Sequence, residues 1–135
     1  MANEIFIDAS AWVAVAVKTD NHHQAATQIY PQILTNYSRL VSTSLVIAEA
    51  YALIRNKIGH AAGQQFLASM SSQRLERTYS DETLEKHALE ILRRYDDHAF
   101  SYADAVSFAL MRERKIRAAF TFDKHFEVMG FKCVP

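Results

Sequence analysis

The chain has a single cysteine, two prolines and three glycines in 135 residues, and each shortage excludes something. A lone Cys133 cannot close an internal disulfide, which fits a reducing compartment and a cytoplasmic protein. It reads as a small apolar residue near the C-terminus. So few glycines and prolines disfavour a turn-rich β-sandwich and favour a helical or α/β domain. No apolar stretch approaches the roughly 18 residues that a membrane helix needs, so no membrane association is expected. Met1-Ala2-Asn3-Glu4 supplies no basic segment ahead of the first apolar run, so no secretory signal is expected. Charge of one sign is missing too, with 15 basic residues against 15 acidic. A general nucleic-acid binder usually carries a basic excess. There is no internal repeat, low-complexity tract or linker, no glycine-rich phosphate loop and no Ser-His-Asp arrangement. The histidines show no metal-ligand spacing, and adjacent His22 and His23 point in different directions on a helix.

What is present is apolar residue in quantity, 50% of the chain, enough for one hydrophobic core in one domain over residues 1–135. Strand-like runs alternate with helical ones. Residues 4–7 form a buried strand, followed by a short apolar helix over 10–17 and a helix over 21–30 capped by Asp20 or Asn21. Pro31 interrupts or kinks that helix. Residues 40–42 form a second strand. Thr43 or Ser44 caps the next helix, which runs to about Lys57 and stops at Gly59. That helix is apolar nearly all round in its first turns and is expected to be buried. A helix over 61–70 and a strand over 74–79 follow. Ser80 opens an amphipathic helix with Leu84, Ala88, Ile91, Leu92 and Tyr95 on its apolar stripe, and with Glu82–Lys86 and Glu90–Arg94 pairs opposite. Ser101 caps a helix from Tyr102 to about Arg114. Residues 118–122 form the fourth strand, 124–129 a short helix and 131–134 a final edge strand. Strands separated by helices imply parallel pairing, hence a three-layer α/β/α sandwich around a parallel sheet of four to five strands.

Four carboxylates stand out in this frame. Asp8 ends the first strand and Asp123 the fourth. Asp104 lies in the first turn of its helix, and Glu49 is the only charge between Leu45 and Ile54. Ligands in open parallel sheets bind beyond the carboxyl ends of the strands, and topology lets all four face that rim. Two unit charges at 4 Å cost about 4 kcal/mol at an effective dielectric near 20. A gathered cluster therefore calls for a hard divalent cation, which is a tool for cutting phosphodiesters. Each acid also has a plainer role. Asp8 and Asp123 suit helix caps, and Asp104 fits a capping box with Ser101. Glu49 suits a salt bridge to an arginine. Ser10 and Thr121 flank Asp8 and Asp123 as supporting hydroxyls or simple caps. Asp96 and Asp97 read as a solvated loop. Arg112, Arg114, Lys115 and Arg117 complement a helix dipole or meet RNA phosphates, with the dipole preferred. Neutralising the four acids would leave 15 basic residues against 11 acidic.

The segments Ile5-Phe6-Ile7-Asp8-Ala9-Ser10, Phe100-Ser101-Tyr102-Ala103-Asp104-Ala105 and Ala118-Ala119-Phe120-Thr121-Phe122-Asp123, with Glu49 between the first and second, resemble the PIN-domain family. Within it they resemble the VapC-type toxins of toxin–antitoxin pairs. Ala9 stands where that family commonly has threonine. The resemblance implies a PIN-like α/β/α fold and Mg²⁺ or Mn²⁺ held by Asp8, Glu49, Asp104 and Asp123. It implies an endoribonuclease, the toxin of a type II pair, working as a homodimer and blocked by a cognate antitoxin. An RNA-processing nuclease without an antitoxin and a non-catalytic PIN-like module are the alternatives. The presence of all four acids speaks against the second.

Overall fold

The computed structural model describes residues 3–135; Met1 and Ala2, on which the expected lack of a leader partly rests, lie outside the described residues. The elements run β1 (Glu4–Ile7), α1 (Ala9–Ala16), α2 (His23–Asn36), β2 (Arg39–Thr43), α3 (Ser44–Ile58) and α4 (His60–Ser69). They continue with β3 (Leu75–Thr78), α5 (Glu82–Arg94), α6 (Tyr102–Arg114), β4 (Ala118–Phe120), α7 (His125–Val128) and β5 (Lys132–Val134). The five strands form one sheet in the order β3-β2-β1-β4-β5. Every pairing is parallel, with Phe6 opposite Val41 on one side and Ala119 on the other. Right-handed crossovers put α1 to α4 on one face of the sheet and α5 to α7 on the other, the α/β/α arrangement expected.

The strands are short and buried because both faces are covered, so β1 and β4 read as continuous apolar runs rather than alternating ones. Ile5, Phe6, Ile7 and Phe120 are fully buried. On the α5–α7 face, Phe6, Phe108, Phe126 and Phe131 pack ring against ring, with Phe108 and Phe126 edge-on at 4.9 Å. Burying one phenylalanine contributes about 1.5–3 kcal/mol, so this cluster anchors α6 and α7 to the sheet. On the other face, Trp12 meets Tyr30 and Phe66, and Tyr30 stacks on Phe120.

Several local expectations are corrected. Pro31 neither ends nor splits its helix, because α2 runs through it to Asn36. Helix α2 begins at His23, with the Asp20 side chain accepting the His22 N–H at 3.0 Å. Asp81, not Ser80, caps α5, accepting the Leu84 N–H at 2.8 Å while the Ser80 hydroxyl donates to Glu85. Glu82–Lys86 pairs at 3.5 Å, but no Glu90–Arg94 pair forms among the described residues. Strand β4 stops at Phe120, two residues early. Thr43 caps α3 as expected, accepting the Val46 N–H at 3.1 Å. Gly59 ends that helix at φ 98°, which L side chains rarely adopt, so α4 starts at once. The first turns of α3 are not buried all round, since Ala48 and Glu49 are exposed.

Candidate metal and active site

Strand order reverses between β1 and β4, and the crevice beyond their carboxyl ends is where a parallel sheet presents a ligand site. Asp8 follows β1 directly. Asp123 lies three residues beyond β4, at the start of the turn into α7. Asp104 enters from the first turn of α6, and Glu49 from the second turn of α3, whose contact with α6 bridges the two helical layers at this rim.

Asp8 occupies the N-cap position of α1, yet its side chain makes no cap bond there, which corrects the capping reading. Its Oδ2 instead accepts the Ser10 hydroxyl at 2.8 Å and the Thr121 hydroxyl at 3.0 Å. Those hydroxyls also accept backbone N–H groups, Phe122 to Ser10 at 3.0 Å and Asp123 to Thr121 at 2.9 Å. One small network thus ties the β1 end to the β4 end. Asp8 is only 4% exposed. Burial pushes its carboxyl above the usual range, the two hydroxyls pull it back, and the charge of Asp104 raises it further.

Asp104 forms the expected capping box, accepting the Ser101 N–H at 3.1 Å while Ser101 Oγ accepts the Asp104 N–H at 3.0 Å. This fixes the side-chain rotamer and leaves the carboxylate 7% exposed. Burial raises its pKa, and the charge of Asp123 adds to the effect. Asp123 does double service, since Oδ1 accepts the His125 N–H at 2.9 Å. His125 itself was not foreseen. Its Nδ1 lies 3.4 Å from both Asp104 Oδ2 and Asp123 Oδ1, and ligand atoms of all three residues fall within 4.8 Å of one another. The one hint in the sequence is its place two residues after Asp123. That short step carries weight only once the chain turns into α7.

Glu49 corrects an expectation in the other direction. It is exposed at the rim rather than buried, and no basic side chain pairs with it among the described residues. Desolvation by the surrounding protein still raises its pKa, and the charges of Asp8, Asp104 and Asp123 raise it further. Asp104, Asp123 and His125 therefore make the tight group, with Asp8 and Glu49 coupled to it by charge. Among the described residues, no lysine or arginine forms an ion pair with any of the four acids. Oxygen-rich, mutually repelling and, among the described residues, without a lysine or arginine partner, this donor set fits a hard divalent cation. A neighbouring imidazole is compatible with one as well.

The PIN domain family model matches residues 5–132. The 23S rRNA-specific endonuclease VapC20 of Mycobacterium tuberculosis is 33% identical over 133 residues, which span 94% of this chain and 95% of that protein. The crystal structure of Mycobacterium tuberculosis VapC20, described as a sarcin–ricin loop cleaving toxin, superposes with a TM-score of 0.87 at 30% identity, over 94% of this chain and 95% of that one. The structure of PAE2754 from Pyrobaculum aerophilum shares the fold at a TM-score of 0.64 and 21% identity, over 99% of this chain and 91% of that one. The expected fold, family and enzyme class, an endoribonuclease, are borne out. Divalent metals are the general resource of such nucleases, and the acidic group described above has the composition to use one. With the family model spanning nearly every described residue, the chain belongs to the PIN domain family.

Proposed function

We propose that this chain is a Mg²⁺-dependent endoribonuclease, with Mn²⁺ able to replace Mg²⁺, and that it is the toxin of a type II toxin–antitoxin pair. Residues 1–135 act as one catalytic domain in the cytoplasm, as a homodimer held in check by a cognate antitoxin. Asp8, Glu49, Asp104 and Asp123 would hold the metal, with His125 beside Asp104 and Asp123. The observation that carries this reading is the convergence of Asp104, Asp123 and His125 within 4.8 Å, beside a buried Asp8 at the strand-order reversal. A bound divalent cation supplies a water acidic enough to attack at neutral pH and offsets charge on the scissile phosphate.

The chain's own residues do the rest. Ser10 and Thr121 orient the Asp8 carboxylate through hydrogen bonds to Oδ2. Ser101 holds Asp104 through the capping box. Glu49 completes the acidic set from its exposed side. Supporting residues of this kind typically matter about 10–100-fold for metal affinity or activity. Hydrolysis leaves a 5′-phosphate and a 3′-hydroxyl. The relatives named as acting on 23S rRNA make that RNA the first substrate to try.

The test is incubation of total RNA containing 23S rRNA with wild type, Asp8→Asn and Asp104→Asn, in Mg²⁺ and then in EDTA. Discrete 5′-phosphorylated fragments from wild type alone, and only with metal, are expected. Fragments produced equally by either folded variant would sink the assignment.

A further inference from the structure

Away from the acids, two grooves meet at Arg112. One, of about 730 Å³, runs between α5 and α6 and is lined by Arg93, Arg94 and Arg112 together with Glu90 and Glu113. The other, of about 470 Å³, lies at the opposite end of the sheet from the acids. It is lined by Arg112, Lys115, Arg117 and Lys132 and has no acidic lining residue. All six cations are exposed, and none forms an ion pair among the described residues.

Arg114, in the same stretch, behaves differently. It turns inward to pair with Glu4 at 2.6 Å and with Glu76. The fold thus commits one arginine of the run to structure and leaves the others facing solvent. Helix dipoles account for cations at the ends of α5 and α6. They do not account for Arg117 and Lys132, which stand at the starts of β4 and β5. A chain of zero formal charge is therefore polarised, with acids beyond the carboxyl ends of the strands and a band of unpaired cations below.

We propose that this band docks the phosphate backbone of a folded RNA whose scissile phosphate lies at the acidic site. The inference rests on the ribonuclease reading and deepens it. Arg117 and Asp123 are six residues apart, so at most about 20 Å of extended chain separates the band from the site. At about 3.4 Å per stacked nucleotide, an unpaired strand of three or four nucleotides that fills the site stops short of the band, whereas a folded stem reaches both. The band selects structured RNA, and the neutral total charge conceals it.

The test compares wild type with Arg112→Glu/Arg117→Glu/Lys132→Glu and with the matching triple glutamine variant. Substrates are a folded 23S rRNA fragment and a short unstructured oligonucleotide spanning the same cleavage site. On the folded RNA, kcat/KM is expected to fall about tenfold or more in the glutamate variant. The salt slope of binding should lose roughly one unit per lost phosphate contact. Cleavage of the oligonucleotide stays within about twofold, because the acidic site is untouched. Equal losses on both substrates, or no loss on the folded RNA, overturn the proposal. Filter binding of the folded RNA in EDTA separates the two readings. Salt-dependent binding that the glutamines weaken upholds the band even if wild type cuts nothing, which would defeat the ribonuclease reading alone. Unchanged binding overturns the band whatever the cleavage result, and leaves an acidic protein as its occupant. A change of oligomeric state in the folded variants, by light scattering, would make the band a contact between copies and likewise overturn it.

Discussion

Thr121 Oγ1 donates to Asp8 Oδ2 at 3.0 Å, joining residues 113 positions apart in the sequence. The same hydroxyl accepts the Asp123 N–H at 2.9 Å, so one threonine sets the relation between two of the acids. Thr121→Val keeps the shape and removes both bonds. We expect a drop of about 10–100-fold in activity at limiting Mg²⁺, partly recovered at saturating Mg²⁺. A metal titration of cleavage rate measures this. An unchanged metal dependence would show that the hydroxyl does not orient Asp8.

Asp8→Asn and Asp104→Asn each remove a carboxylate that burial and neighbouring charge disfavour. Both metal-free variants should therefore melt above wild type, with each kcal/mol of relief worth roughly 4 °C at this size. In Asp104→Asn the amide oxygen can still accept the Ser101 N–H, so the cap survives. Added Mg²⁺ should stabilise wild type far more than either variant, by linkage. Scanning calorimetry with EDTA and with Mg²⁺ provides the comparison. Lower melting temperatures for both metal-free variants would argue that the charges do not crowd one another.

The pH dependence has a defined sign. Asp8, Glu49 and Asp104 have folded pKa values raised above the ordinary carboxylate range. Between the ordinary value and the raised one, the native state holds more protons than the unfolded state. Stability then falls as pH rises through that window. Metal-free protein should accordingly become more stable as pH is lowered from neutrality through the raised range of these carboxyls. Glu76 works in the opposite sense. Its pKa is lowered, chiefly by its hydrogen bond to Arg114, so its contribution is lost at more acidic pH. Mg²⁺ should reverse the trend near neutrality, because protons compete with metal for the same oxygens. Melting curves from mildly acidic to mildly basic pH, with and without Mg²⁺, test both signs, and Asp104→Asn should flatten the metal-free curve.

Arg114 bridges Glu4 on β1 and Glu76 on β3, at the end of the sheet far from the acids. Its side chain is 25% exposed, so solvent screening limits what the pairs contribute. Arg114→Met should cost about 1–2 kcal/mol in urea unfolding, chiefly by leaving Glu4 unpaired. Arg114→Lys should recover only part of this, since one ammonium cannot replace a two-pronged guanidinium. Cleavage of a short oligonucleotide should be unchanged in both. A loss of oligonucleotide cleavage in well-folded Arg114→Lys would place this residue in the substrate path instead.

Much of this architecture can be read from local pattern. Buried strands at 4–7 and from 118 onward follow from apolar runs, although the run to Phe122 outlasts the strand, which stops at Phe120. The stripe of α5 follows from 3.6-residue spacing, and the Ser101–Asp104 box from its four-residue signature. Pro31 was less legible, because whether a proline breaks a helix depends on the turn before it and on what packs there. Ser80 and Asp81 are adjacent good caps, and only the chain direction into α5 selects between them. Asp8 reads as a ligand with a helix cap as its plainer role. What decides is the Thr121 hydroxyl, which arrives from just beyond a strand more than a hundred residues away.

The alternation of strands and helices was written in the chain's own residues. With it came the parallel sheet and the rim on which Asp8, Glu49, Asp104 and Asp123 appear. These follow from periodicity and capping, which act over a few residues. Which donors converge was settled in three dimensions. Packing brought His125 to Asp104 and Asp123, left Glu49 exposed, and turned Arg114 inward while Arg112 and Arg117 face water. Those outcomes depend on how α3, α6 and α7 lie around one sheet edge. Packing of that kind joins residues distant in the chain, and no local spacing encodes it.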